Sequence, residues 1–449
     1  IISAYQFSEQ AKDKIEKAGS EIVSLLDISK EKPSGKIEGA IDVYFDSFEN
    51  FKKIFSKCYQ TVRLFALFVR YVYAKFRQFN VRLKGNKKTI LFTLEDDRLF
   101  RDNDDSGRNA YMALDNFSEA GYDVYLYKKF NFSAYKKLGK YGRPICLIRN
   151  LKIVDKLPLS TDDMIYAFDT FVKEAVTRAW KKKVYVNIAK PADYFMGDMV
   201  WMPYFTHPLV HQFKKNNTLE PFRETKRNIR VFFGGNTSKQ HYDNPNLRIY
   251  FNHMTRREGI RAILSLGESV ELYSDAQCFY DRISTLEYIK KCILLQTDHT
   301  FPIKTQNWLK IVSKSDFFLC LPGSDMPMCH NAFESMAVGT IPIISYADWF
   351  FPALEHGKNA IVFSGKDDLL VKLNEVLNMA KDDIDKMRKN VERYYDDYLT
   401  AKQFVNKFEQ MNGNLSTIML HPRINCTPVE AEEASKIYDL IQKNSKCYV

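Results

Sequence analysis

The stretch "DFFLCLPGSDMPMCHNAFESMAVGTIPII", residues 316–344, restricts the fold more than any other part of the chain. An apolar run, Asp316–Leu321, enters a Pro/Gly/Ser/Asp loop. A segment with Phe333, Met336 and Ala337 at helical spacing follows, then Gly339 and a second apolar run, Ile341–Ile344. Strand, helix and strand in so short a span is a parallel crossover, because an antiparallel pair would be joined by a hairpin. Ligands of such sheets sit outside the carboxyl ends of the strands, where the loop 322–326 lies. Pro327 suits a first helical turn and Ser324 or Asp325 can cap it. The unbonded amides there attract phosphate, and Glu334, two turns in, can accept from the two hydroxyls of a ribose or sugar. The same residues also fit a helix that packs its apolar side and leaves Glu334 in water.

The strand–helix pattern occurs in two series. The first runs through "KKTILFTL" (strand), "EDDRLFRDNDDSG" (loop), "RNAYMALDNFSEAG" (helix), "YDVYLYKKF" and "PICLIRN" (strands), a helix over 162–180, and the strand "KKVYVNI". "VWMPYFTHP", with two prolines, reads as a hinge. The second series holds the strand "IRVFFGGN", a basic helix over 245–266, "VELYS", a helix around "NWLKIVSKS", the quoted motif, "NAIVFSG" and charged helices over 366–411. This predicts an α/β protein of two doubly wound, Rossmann-like domains facing a cleft. The expected division is an N-terminal segment 1–88 with a basic aromatic helix, an acceptor-side domain 89–215, a donor-binding domain 216–412, and a tail 413–449 whose helix, from Thr427, packs back across the hinge.

A chain of 449 residues is too long for one ordinary core, and 45% apolar with 27% charged residues is the balance of a folded globular protein. The longest apolar runs are far too short to span a bilayer. The first residue is Ile, so a lost targeting segment stays open. Eight scattered cysteines without metal-ligand spacing suggest a reducing compartment and no structural metal. The formal charge of +11 calls for an anionic partner: nucleic acid, an anionic membrane or a phosphorylated substrate. In residues 51–88, Arg63, Arg70, Lys75 and Arg77 interleave with Leu64, Phe68, Tyr71 and Phe76, as in a helix lying in a membrane interface. The alternative is a helix with its apolar side on the next domain and its basic side solvated. Residues 1–30 resemble the carboxyl-terminal end of bacterial large-subunit ribosomal protein fifteen, which keeps an RNA-associated reading in view.

"SDFFLCLPGSDMPMCHNAFESMAVGTIPIIS" followed by "WFFPALEHGKNAIVF" resembles the donor-binding half of GT-B glycosyltransferases, most of all the exostosin-like families; with "RNIRVFFGGN" the pattern extends over residues 229–363. The resemblance implies a nucleotide-sugar donor in the second domain, an acceptor in the first, and no obligatory metal. Carried over by position, Glu334 matches the sugar or ribose contact, Gly323 and Ser324 the phosphate-side loop with Asp325 beside them, and Gly234, Gly235 and Asn236 the loop below the donor. His330 and Asn331 line the same helix. Lys239, Arg248, Arg256 and Arg257 are the cations available to a diphosphate leaving group in place of Mg²⁺. One departure is Met326, where the retaining signature has an acidic residue eight positions before the helix Glu. That leaves the stereochemistry open.

An inverting transfer needs a base from the first domain. The loop after its first strand offers Glu95, Asp96, Asp97, Asp102, Asp104 and Asp105, and Asp105, directly before the helix, is the favoured one; solvated turn carboxylates are the alternative. "DND" at 102–104 has the look of a metal-binding DxD, a tripeptide common by chance. His207 in "YFTHP" is a second catalytic candidate, with a structural histidine as its rival. The expected activity is hexosyl transfer from a nucleotide-diphosphate sugar to a glycan or lipid-linked acceptor in polysaccharide or lipopolysaccharide synthesis, without metal or cofactor, in the cytoplasm at the inner face of a membrane. A basic RNA-binding protein and a nucleotide-sugar epimerase are the alternatives.

Overall fold

The computed structural model describes residues 60–419 apart from 82, 84–87, 102–104, 159–162, 170–179, 188–197, 204–205, 209, 212–218, 286, 297–302 and 325. The ribosome-like opening segment and the helix expected from Thr427 lie outside them. The chain divides into two compact units, Ile1–Val72 and Tyr73–Val449. What is described of the first is the start of a helix that runs over residues 60–80.

Among the described residues the larger unit has two sheets, with all pairings parallel. The first contains β1 (Thr89–Thr93), β2 (Asp123–Tyr127), β3 (Leu151–Val154), β4 (Met164–Phe168), β5 (Lys182–Asn187) and β6 (Asp198–Trp201). The second contains β7 (Ile229–Gly235), β8 (Val270–Tyr273), β9 (Ile289–Gln296), β10 (Ser315–Cys320), β11 (Ile341–Ile344) and β12 (Ile361–Val362). A last strand, β13 (Leu415–Met419), gives the orders β3-β2-β1-β4-β5-β13-β6 and β12-β11-β10-β7-β9-β8. Helices flank both sheets, the two-domain Rossmann-like arrangement expected from the alternation of strand and helix.

The central strands are buried on both sides, so they read as continuous apolar runs rather than alternating ones. Met164–Phe168 shows why this misleads: its five residues are all buried in a middle strand, where the periodicity predicted a helix over 162–180. "PICLIRN" is likewise not a strand. Pro144, which lacks an amide hydrogen, sits in the short helix Gly142–Ile145, and the strand starts only at Leu151. The basic helix expected over 245–266 breaks at left-handed Asn252 (φ 54°) into Asn246–Phe251 and Arg256–Leu264. A capping box starts the latter: Glu258 N–H donates to Thr255 Oγ1 (3.2 Å) and Thr255 N–H to Glu258 Oε2 (2.9 Å).

After the charged helices Gly365–Asn378 and Lys381–Tyr394 the chain returns to the first sheet. Helix Ala401–Gln410 sets Phe404 and Phe408 edge-on against Phe117 of helix Asp105–Glu119, with ring centroids 5.9 and 5.2 Å apart. β13 then inserts between β5 and β6.

Candidate functional site

The strand order of the second sheet reverses between β7 and β10. The crevice at their carboxyl ends is where a doubly wound sheet receives a ligand. β7 ends in Gly234-Gly235, and the first must be glycine: a Cβ there would lie 2.9 Å from Phe232 Cζ and 3.0 Å from the Trp308 ring. β10 runs into Pro322-Gly323. A Cβ on Gly323 would meet the carbonyl oxygens of Met326 and Met328 at 2.7 and 2.9 Å, so the loop can curl back only on glycine.

Arg256 lies between these two loops, almost wholly buried. Its Nε donates to Pro322 O (3.0 Å), one Nη to Asn236 O (3.0 Å) and the other to Cys329 Sγ (3.3 Å), and the guanidinium lies 4.0 Å over the Tyr242 ring. Among the described residues no carboxylate pairs with it. Asn331, in the first turn of helix His330–Ala337, donates to Gly234 O at 3.1 Å and ties that helix to β7.

Glu334 lies on the same helix with 2% of its surface exposed. Oε1 accepts the backbone N–H of His207 at 3.0 Å and Oε2 accepts the Trp308 indole N–H. Burial pushes the carboxyl up to about 7, against these two donors and Arg108, which favour its charge. The structure thus places Glu334 against the crossover segment.

From the first domain, Arg108 reaches the same place. Its Nε donates to Tyr141 Oη (3.1 Å), and one Nη lies 3.1 Å from His330 Nε2. Tyr141 Oη in turn lies 2.9 Å from His207 Nε2. A guanidinium only donates, so His330 Nε2 accepts; Tyr141, buried and already accepting from Arg108, donates its hydroxyl hydrogen to His207. Burial, then neighbouring His330 and the cations Arg108 and Lys140, push the His207 imidazole down to about 2. It is therefore neutral, with its Nε2 lone pair taken up by Tyr141. The rings of His207 and His330 meet edge to face at 5.2 Å.

The structure therefore brings together His207, Glu334, His330, Asn331, Gly234, Gly235, Asn236, Gly323 and Arg256. The carbonyl oxygen of Ser324 accepts from Asn244 Nδ2 at 3.1 Å. Lys239 is exposed, Arg248 is drawn to Glu258 (2.8 Å), and Arg257 donates to Thr237 O (2.8 Å). Asp325, Asp102 and Asp104 lie outside the described residues, as does the side chain of Asp105, whose backbone begins the helix that carries Arg108 one turn later. Of the neighbouring loop, Asp97 pairs with Arg101 (2.6 Å), and the amides of Glu95 and Asp96 donate to Asp169 at 2.9 and 3.1 Å.

Sequence reasoning missed Tyr141, Trp308 and Asp169. For Tyr141 the one signal was the next residue: a Cβ on Gly142 would lie 2.3 Å from Phe100 O, so glycine fixes where that tyrosine sits.

Pockets open at strand ends of both sheets. One of about 600 Å³ lies at the ends of β11 and β12, lined among others by His253, Ser345, Trp349 and Ser364. Another of about 490 Å³ lies at the ends of β2 and β3, with Arg101, Lys128, Lys129 and Lys137 around Phe100, Phe130 and Ile153. A group able to hold a metal stands two turns beyond Arg108: Asp115, Glu119 and His211 offer ligand atoms within 4.8 Å of one another. In the structure the His211 Nε2 instead meets both carboxylates directly, at 2.9 and 3.1 Å.

No family model matches the chain, and no curated protein does. Among solved structures it is similar to a glycosyltransferase from Rickettsia africae, with 10% identity over 80% of this chain and 100% of that one and a TM-score of 0.41. It is also similar to Anabaena HepE, solved in complex with UDP and glucose (10% identity, 72% and 98% covered, TM-score 0.35). A third is WaaG, a glycosyltransferase involved in lipopolysaccharide biosynthesis (10% identity, 72% and 100% covered, TM-score 0.31).

Proposed function

We propose that the chain is a nucleotide-sugar-dependent glycosyltransferase of the exostosin-like GT-B kind, binding its donor at the β7/β10 crevice and its acceptor on the first domain. The observation that carries this is Arg256: a buried guanidinium with no carboxylate partner among the described residues, held among loop carbonyls beside the N-terminus of helix His330–Ala337. Such a cation, with helix amides, is suited to the charge that develops on a departing diphosphate, the task a metal performs elsewhere. Glu334 and Trp308 act as positioning residues that fix the crossover at His207. Arg108, Tyr141 and His330 set the floor between donor and acceptor, and the base comes from the loop that ends at Asp105. The pocket at the ends of β2 and β3 is where a glycan or lipid-linked acceptor with anionic groups would lie, since lysines and an arginine surround its apolar floor.

The test is thermal stability with UDP, GDP, CMP and their sugars, on wild type and Arg256→Gln. A ligand bound only by the folded state adds roughly 2.7 kcal/mol at a hundredfold excess over its Kd. One nucleotide diphosphate should raise the melting temperature of wild type and do so weakly in the variant. No shift with any nucleotide, or an equal shift in both proteins, would remove the donor site from this crevice.

A further inference from the structure

Residues 51–88 contain eleven Lys and Arg and no Asp or Glu, which equals the whole formal excess of +11; the remaining residues balance. The described part of this stretch is the helix over residues 60–80, and its side chains are sorted by face. Val62, Phe65, Val69, Val72, Phe76 and Phe79 follow one another at alternating steps of three and four, so they form a single stripe. All are exposed, from 48% at Val72 to 85% at Phe79. Arg63, Arg70 and Arg77 recur every seven residues along one flank.

The opposite face is held. Ala74 and Gln78 are buried, and Gln78 is clamped to the first domain: its Nε2 donates to Cys146 O (2.8 Å) and Leu151 O (3.2 Å), and its Oε1 accepts from Ile153 N–H (2.8 Å). Lys75 and Arg77 add bonds to Phe130 O and Leu147 O, both 3.2 Å. The C-terminal end of the helix is thus fixed, and Phe76 and Phe79 beside it are exposed.

We infer that this helix is a docking surface for an anionic phospholipid bilayer, its apolar stripe entering the acyl boundary and its arginines engaging headgroup phosphates. A stripe this rich in Phe and Val gains from leaving water, and each basic residue near an anionic surface adds to the binding. A second copy of the chain is the poorer occupant. Stripe-to-stripe pairing would bring two wholly cationic helices together, with no acidic residue on either to offset the repulsion. The inference does not depend on the transfer chemistry.

The experiment is co-sedimentation of the full chain with vesicles of phosphatidylcholine alone or with about one third phosphatidylglycerol, over a salt series. Wild type should bind the anionic vesicles, release them as salt rises, and ignore the neutral ones. Arg63→Gln/Arg70→Gln should weaken binding by roughly thirtyfold, and Phe65→Ser/Phe76→Ser by at least about tenfold. Both variants change exposed side chains only and should keep the wild-type melting temperature. Absence of wild-type binding, equal binding to neutral vesicles, or binding unmoved by both variants overturns the inference. So does a dimer, or a complex with RNA, that these variants abolish while vesicle binding persists.

Discussion

His207 and Glu334 are joined by a backbone N–H that donates to a carboxylate oxygen at 3.0 Å, while the other oxygen of the same carboxylate accepts from Trp308. One side chain of the second domain thereby fixes both the crossover from the first domain and the ring that covers Gly234. His207 then contacts Tyr141, and Tyr141 contacts Arg108, so the connection continues into the helix that starts at Asp105. A change at Glu334 should be felt on both sides of the cleft.

Glu334 makes stability depend on pH with a defined sign. Its folded value, about 7, lies above the ordinary 4.5, so the folded chain holds a proton that the unfolded chain releases between those values. The contribution is complete below about pH 4.5 and is lost as pH rises towards 7, amounting to about 3 kcal/mol at most. Glu334→Gln, neutral throughout, should flatten this part of the profile. Melting temperatures of both proteins from pH 4 to 8 check it; two parallel curves would show that Glu334 does not titrate in that window.

Gly323→Ala should cost roughly 1–3 kcal/mol, because the new methyl meets two backbone carbonyls that cannot rotate away. The loop beside Arg256 would open, and nucleotide-diphosphate affinity would fall with the stability. Denaturant unfolding and a nucleotide titration measure the two. Unchanged stability would mean that the loop relaxes freely.

The second domain was more legible than the first. Its strands Ile229–Gly235, Ser315–Cys320 and Ile341–Ile344 stand out because their apolar runs are bounded by Gly and Pro. The same rule failed for Met164–Phe168, where a five-residue buried run inside a longer apolar window looks helical until its neighbours are known. The return of the chain through Phe404, Phe408 and Leu415–Met419 depends on pairing with strands more than two hundred residues away, which no local pattern encodes. At the site, the Gly-rich turns and Glu334 were visible as motif. The chain Arg108–Tyr141–His207 was not, because its members share no spacing.

Tyr141→Phe tests that chain directly. It deletes the hydroxyl that accepts from Arg108 and donates to His207, removing one bond from each of two half-buried side chains at about 1 kcal/mol. Transfer activity should fall in kcat with donor affinity nearly kept, since Arg256 and its loops are untouched. An equal loss in donor affinity would place Tyr141 in donor binding instead.

His211 gives a second, separable pH effect. Burial works against its charge, but its bonds to Asp115 and Glu119 outweigh that and raise it above the ordinary 6.5. Its stabilisation is therefore complete below pH 6.5 and is lost as pH rises through the raised folded value. His211→Asn, which removes the cation shared by buried Asp115 and exposed Glu119, should lower stability by about 3 kcal/mol at pH 6, and by less at pH 9. A bound divalent metal at these three residues would reverse that trend, since it needs the neutral imidazole and is favoured by higher pH. Melting temperatures of wild type and variant at both pH values, with chelator and with added zinc, separate the cases. A chelator-insensitive gap that narrows at pH 9 supports the protonated staple, and a zinc-dependent gap that widens there replaces it with a metal site.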